Sequence, residues 1–141
     1  MNTMTVTAKA CSVTVPAGRY FLGDPCYAVP NEYWMPLLES CDFFEGSPIG
    51  QANGSQVLAF GTAWGDGTYN DQHGNSYPVD AGLIGLTPIA LAQQRDDFEQ
   101  LESLGRFVDF DSPTTCTKSE GVLSFGKFNI DTDSEESEDD N

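Results

Sequence analysis

The chain has 141 residues, enough for one domain with a core of its own, and sets 22 acidic residues against six basic ones for a formal charge of −16. Seven of the acids lie in the last eleven residues, which leaves 15 against six, or −9, over residues 1–130, so the folded part is acidic independently of its tail. Three Arg and three Lys, scattered along the chain, exclude direct binding to a nucleic-acid backbone, which needs clustered cations, and no apolar run approaches the roughly 18 residues of a membrane span.

Residues 4–8 and 11–15 alternate polar and apolar in the manner of strands, without the basic-then-apolar order of a secretory leader. A Pro-Ala-Gly turn at 16–18 leads into a strand over 19–22, and Gly23-Asp24-Pro25 ends it, because Asp before Pro is pushed out of the α region. Residues 26–29 read as extended. Asn31 is the expected N-cap of a short helix over 31–40, with Pro36 an obstacle that favours a start near Met35. Residues 42–55, rich in Gly, Ser, Asn and Pro, read as a long surface loop. The strongest strand runs over 56–63 and enters a glycine-rich turn at 64–67. Residues 68–71 and 76–80 pair as a hairpin around the polar tip Gln72-His73-Gly74-Asn75, and 81–86 follow as a buried apolar strand or connector. Thr87-Pro88 signals the start of the main helix, over 88–103, with Gly105 as its stop. Strands are expected at 106–110, 114–117 and 122–129.

The sum is an α+β, mostly β fold: an antiparallel sheet rolled into a barrel or sandwich, one main helix at 88–103 and a short one at 31–40. Residues 1–130 form one compact domain, and 131–141, acidic and without core-forming side chains, form a disordered tail. Four cysteines (Cys11, Cys26, Cys41, Cys116) contain no C-x-x-C pair and read as free thiols of a reducing, cytoplasmic protein.

Chemistry-bearing residues concentrate in 60–86. Asp24, Asp66, Asp71 and Asp80 lie in turns or at strand ends and, with His73, form the one set able to hold a hard cation or perform acid–base catalysis. Known templates fail on it. Read as an EF-hand loop from Asp66, the glycine required at the sixth place is Asp71, and no Glu stands at the twelfth. Aspartates in such turns ordinarily cap backbone N–H groups, and that reading is favoured. Cys26 lies ahead of any expected helix start and reads as an inert thiol. The glycines at 61, 65 and 67 match no phosphate-cradling motif, and no G-x-S-x-G occurs. No cofactor and no metal is expected. Trp64, Asp66 and Tyr69 are the candidate partner contacts, since interfaces favour Trp and Tyr.

Three segments, GRYFLGDPCYAVP (18–30), AFGTAWGDGTYNDQHG (59–74) and YPVDAGLIGLTP (77–88), together resemble a family of small tailed-phage proteins of no known activity. The resemblance covers about residues 16–130 and implies a phage accessory protein acting in the cytoplasm of a bacterial host. With the acidic charge it suggests a factor that binds and modulates, or inhibits, a host or phage protein with a basic surface by imitating nucleic-acid charge. Two alternatives stand beside it: a small hydrolase or nucleotide-processing enzyme built on Asp24, Asp66, Asp71, His73 and Asp80, and a virion-associated structural protein.

Overall fold

The computed structural model describes residues 4–6, 12–119 and 121–132, and every strand pairing in it is antiparallel. One sheet has the order β1 (Thr5–Val6), β2 (Ser12–Val15), β10 (Thr114–Ser119), β11 (Val122–Phe125), β12 (Phe128–Asp131). A second has the order β4 (Ile49–Ala52), β5 (Ser55–Gly61), β8 (Leu83–Pro88), β3 (Gly18–Gly23), β9 (Gly105–Phe110). The hairpin of β6 (Gly67–Asn70) and β7 (Ser76–Val79) closes one end, joined to β12 by a bridge between Asp71 and Ile130. The result is a sandwich and not a closed barrel.

Alternation decides which side chains fill it. Val13, Val15, Cys116, Leu123, Phe125 and Ile130 of the first sheet meet Tyr20, Leu22, Leu58, Phe60, Ile84 and Leu86 of the second in one buried cluster. The central strands of the second sheet, β3, β5 and β8, are buried on the other face as well, so they read as near-continuous apolar runs. There Phe21, Val57 and the row Gly85–Gly23–Gly105, aligned across three neighbouring strands, face the helices. A Cβ on Gly23 or Gly105 would lie 2.7 Å from the Phe21 ring, and one on Gly85 would collide with the Leu58 carbonyl. The glycines are therefore what lets Phe21 lie flat along the sheet beneath the helical layer.

That layer differs from its expected form. The helix over 88–103 is broken: Pro88 still belongs to β8, α3 spans only Ile89–Ala92, and a separate 3-10 helix covers Phe98–Ser103. Thr87 is not a cap; it is a fully buried strand residue whose Oγ1 has no partner among the described residues. Between the two helical pieces Arg95 makes a two-point bond to Asp97 and donates to the Val29 carbonyl, tying the break to the end of the helical turn at Pro25–Ala28. The other helix does span Asn31–Ser40 (α2), but Pro30 precedes it as cap and Pro36 sits inside. Glu32, whose carbonyl Pro36 cannot bond, is exposed, as is Pro36, so that carbonyl is open to solvent. Of residues 26–29 only Val29 is extended: Pro25–Ala28 form a helical turn (α1) with Asp24 as N-cap and Pro at the first position.

The 42–55 loop contains strand β4, paired with β5 through Asn53-Gly54, both at positive φ (49° and 81°), the two-residue hairpin turn that Asn-Gly encodes. The single strand expected at 122–129 is two, folded at Gly126-Lys127. The folded chain also continues past 130. Asp131 pairs in register with Val122, and Thr132 is buried, accepting from the Ala63 N–H and donating to the Gly121 carbonyl. The rest of the expected tail, 133–141, lies outside the described residues, as does Cys11. Among the described residues no helix is long and apolar enough to cross a membrane.

Candidate functional site

The aspartates expected to converge are instead divided between two backbone-bracing centres. Asp24 is fully buried. Its Oδ1 accepts from the Cys26 N–H at 2.9 Å, and its Oδ2 accepts from the N–H groups of Asp80 and Ala81 at 2.9 and 2.7 Å. One carboxylate thus caps α1 and pins the β7–β8 connection 56 residues away. The GDPCY and PVDAG segments do meet, but through main chain: Asp80 contributes its N–H while the residue itself is exposed.

Asp71 is the second centre. It accepts from the N–H groups of His73 and Asn75, from the Asn75 side-chain amide, and from the Tyr77 hydroxyl at 2.7 Å. Burial alone raises its pKa, but these bonds outweigh burial and hold it below the usual carboxylate value. Tyr77, fully buried, is driven upward by burial and by the Asp71 carboxylate. His73 is exposed, with its ring edge-on to Phe128 at 6.1 Å, and Asp66 is exposed in the glycine turn. Among the described residues no three His, Cys, Asp or Glu side chains gather in a way that would hold a metal ion.

Cys26 is half-buried, and its thiol is pushed well up, first by burial and then by the charge and hydrogen bond of Asp24. It is held in the protonated, unreactive form. Cys41 and Cys116 are buried free thiols, and burial pushes Cys116 up to about 12.

Tyr69 is not a surface contact. It is 4% exposed, paired across the hairpin with Tyr77, and its hydroxyl donates to the Gly65 carbonyl at 2.9 Å. Inward alternation on β6 decides this: Tyr69 is the one buried position of the strand. Trp64 does stand out, at 62% exposure. It sits beside Gly65, whose Cα would lie 3.6 Å from a Cβ on Gly82.

Gly82 also borders the most unusual surface of the molecule. Helix α2 ends in a Schellman-type motif, the Phe43 N–H reaching the Leu38 carbonyl at 2.7 Å. The residue that must turn left-handed there is Asp42, not glycine. The next two continue in the same region, with φ of 55°, 60° and 63° at Asp42, Phe43 and Phe44, closed by the Glu45 N–H on the Asp42 carbonyl at 3.0 Å. Left-handed backbone costs an L-residue on the order of 1–2 kcal/mol, so two phenylalanines in it require a local reason. Phe44 has one, packing inward with Trp34, and its N–H is met by Cys41 Sγ at 3.3 Å. Phe43 does not: it is left half exposed on the rim of a groove of about 660 Å³ floored by Trp34, Leu38 and Leu83, with Lys118 at its margin. Sequence reasoning missed Phe43, because nothing in Cys-Asp-Phe-Phe-Glu marks a left-handed turn that normally announces itself by glycine.

The chain matches no protein-family model, no curated protein and no solved structure.

Proposed function

We propose that the protein is a non-enzymatic interaction factor of the tailed-phage accessory kind its motifs resemble. It docks a basic-surfaced host or phage protein in the host cytoplasm and modulates or inhibits it, presenting negative charge as a nucleic acid would. One observation carries the reading: left-handed backbone at Asp42–Phe44 holds Phe43 half exposed beside a groove lined by Trp34, Leu38 and Leu83, in a chain at −16. Strain of this kind collects at contact sites rather than in inert loops, and an aromatic anchor in an acidic surround suits a basic partner. The carboxylates an enzyme would need are already engaged, Asp24 and Asp71 by backbone N–H groups.

The test uses F43G, which removes the ring while supplying the residue the left-handed backbone favours. Affinity capture from bacterial lysate by the full chain recovers a basic protein in a salt-sensitive manner; F43G and W64S each lose that same protein. F43G melts within about 1 kcal/mol of wild type, relieved strain offsetting lost packing. Capture unchanged in both variants, or capture of acidic and basic proteins alike, overturns the proposal.

A further inference from the structure

The charge distribution is inverted at one place. Arg95 is consumed internally by Asp97 and Val29. The other two arginines of this acidic chain, Arg19 and Arg106, line one cleft of about 490 Å³ next to Asn75 and Ser76 of the hairpin tip. They reach it from opposite faces of the sheet, Arg106 from the edge strand β9 and Arg19 from its neighbour β3. Arg106 shares a face with Val108, toward the first sheet. Arg19, in register with Asp109 on the neighbouring strand, shares the face of Phe107.

Each guanidinium rests on a ring that fixes its plane. Arg19 Cζ lies 5.4 Å from the Phe107 centroid, and Arg106 Cζ lies 5.2 Å from that of Phe128. Neither charge is saturated. Arg106 Nε is buried and finds no acceptor among the described residues, a state rare in folded proteins that calls for a local cause. Arg19 meets Asp109 only at 3.8 Å with both side chains more than half exposed, a weak pair. Glu102 is the acid on the cleft wall among the described residues.

We infer that this cleft is an oxyanion site that takes the phosphate group of a small phosphate-bearing ligand, bridged between Arg19 and Arg106. The planar N–H forks match phosphate oxygens. The overall charge repels a polyanion, so the ligand carries a single phosphate group rather than a nucleic-acid strand. Glu102 resists a second negative charge but accepts a hydrogen bond from a hydroxyl, which favours a phosphate ester of a hydroxylated carrier over the free ion. The site lies apart from the Phe43 groove and stands whether or not that groove binds a partner.

The experiment follows the arginine side-chain N–H signals of the full chain by nuclear magnetic resonance. Inorganic phosphate and glycerol 3-phosphate are titrated separately at constant ionic strength. Both Nε–H signals of Arg19 and Arg106 shift saturably, with a dissociation constant of about 1 mM or tighter, while that of Arg95 stays still. Glycerol 3-phosphate binds more tightly than phosphate, and E102Q narrows the gap by strengthening phosphate several-fold. R19Q and R106Q each weaken binding about tenfold or more; R19Q, at an exposed position, keeps the test valid if R106Q fails to fold. Shifts that rise linearly and equally with chloride, or affinity unchanged in R19Q, overturn the inference.

Discussion

Replacing Asp24 separates a structural carboxylate from a catalytic one. In the wild type its two oxygens serve three N–H groups, those of Cys26, Asp80 and Ala81, in a side chain with no solvent exposure. D24A leaves three donors without an acceptor at a buried joint. At about 1–1.5 kcal/mol for each, one of them the N-cap bond of α1, the cost is about 4 kcal/mol. D24N keeps an acceptor oxygen but turns an amide NH₂ toward donors, so it recovers only part, a loss of about 2–3 kcal/mol. A domain of this size is stable by roughly 5–15 kcal/mol, and a loss of 1 kcal/mol lowers its melting temperature by about 3–5 °C. D24A therefore melts about 12–20 °C lower, with the urea midpoint shifted in parallel. D80A and D66A, whose side chains are exposed, stay within about 0.5 kcal/mol of wild type. Thermal and urea unfolding followed by circular dichroism measure all four. If D24A costs less than about 1 kcal/mol, or D80A costs as much as D24A, the bracing role assigned to this carboxylate is wrong.

Two other predictions concern titrating groups. D71N destabilises by about 2 kcal/mol at pH 7, through the lost charge on four hydrogen bonds. The native pKa of Asp71 lies below its unfolded value, so its contribution is fully present above the ordinary carboxylate range near 4. It disappears as pH falls through the lower native value; the gap between wild type and D71N in urea unfolding closes below about pH 4, and a gap constant from pH 7 to 2 refutes the assignment. Cys26, with its thiol held protonated by burial and by Asp24, is alkylated by iodoacetamide at pH 8 about a hundredfold more slowly than a free thiol. Mass spectrometry of the Cys26 peptide from native protein reads this, and labelling at the free-thiol rate contradicts it.

What the sequence discloses and what it conceals divide along a physical line. Strands whose two faces meet different surroundings alternate in hydrophobicity, and so β2, the β6–β7 hairpin and β9 stand where periodicity puts them. Asn53-Gly54 was a readable hairpin turn hidden by its polar neighbours, which made 42–55 look like loop. The break at 93–97 has no such local mark. Thr87-Pro88 and an apolar stripe predict one helix, but Pro88 is drawn into register with Tyr20 at the end of the β8–β3 pairing, and Arg95 finds its acceptors on Asp97 and Val29. Tertiary bonds there prevail over propensities worth a few tenths of a kcal/mol per residue.

The same division governs the candidate sites. Asp24 and Asp71 were visible as capping residues because the reason for an aspartate before Pro25 or at a hairpin tip is local. That Asp24 would also secure Asp80 and Ala81 was not, since those partners lie 56 and 57 residues away. Tyr69 looked like a surface anchor beside Trp64, yet one step along β6 reverses a side chain's face, and a closed hairpin end turned it inward. Phe43, Arg19 and Arg106 gave no signal at all. Each acquires meaning only from what the fold sets beside it: a left-handed turn ending α2 in one case, a cleft at the sheet edge lined by arginines of β3 and β9 in the other. Residues that brace the chain have local reasons that composition and spacing reveal. The two proposed contacts rest on what the fold leaves unsatisfied, an exposed ring on strained backbone and a buried Nε without an acceptor.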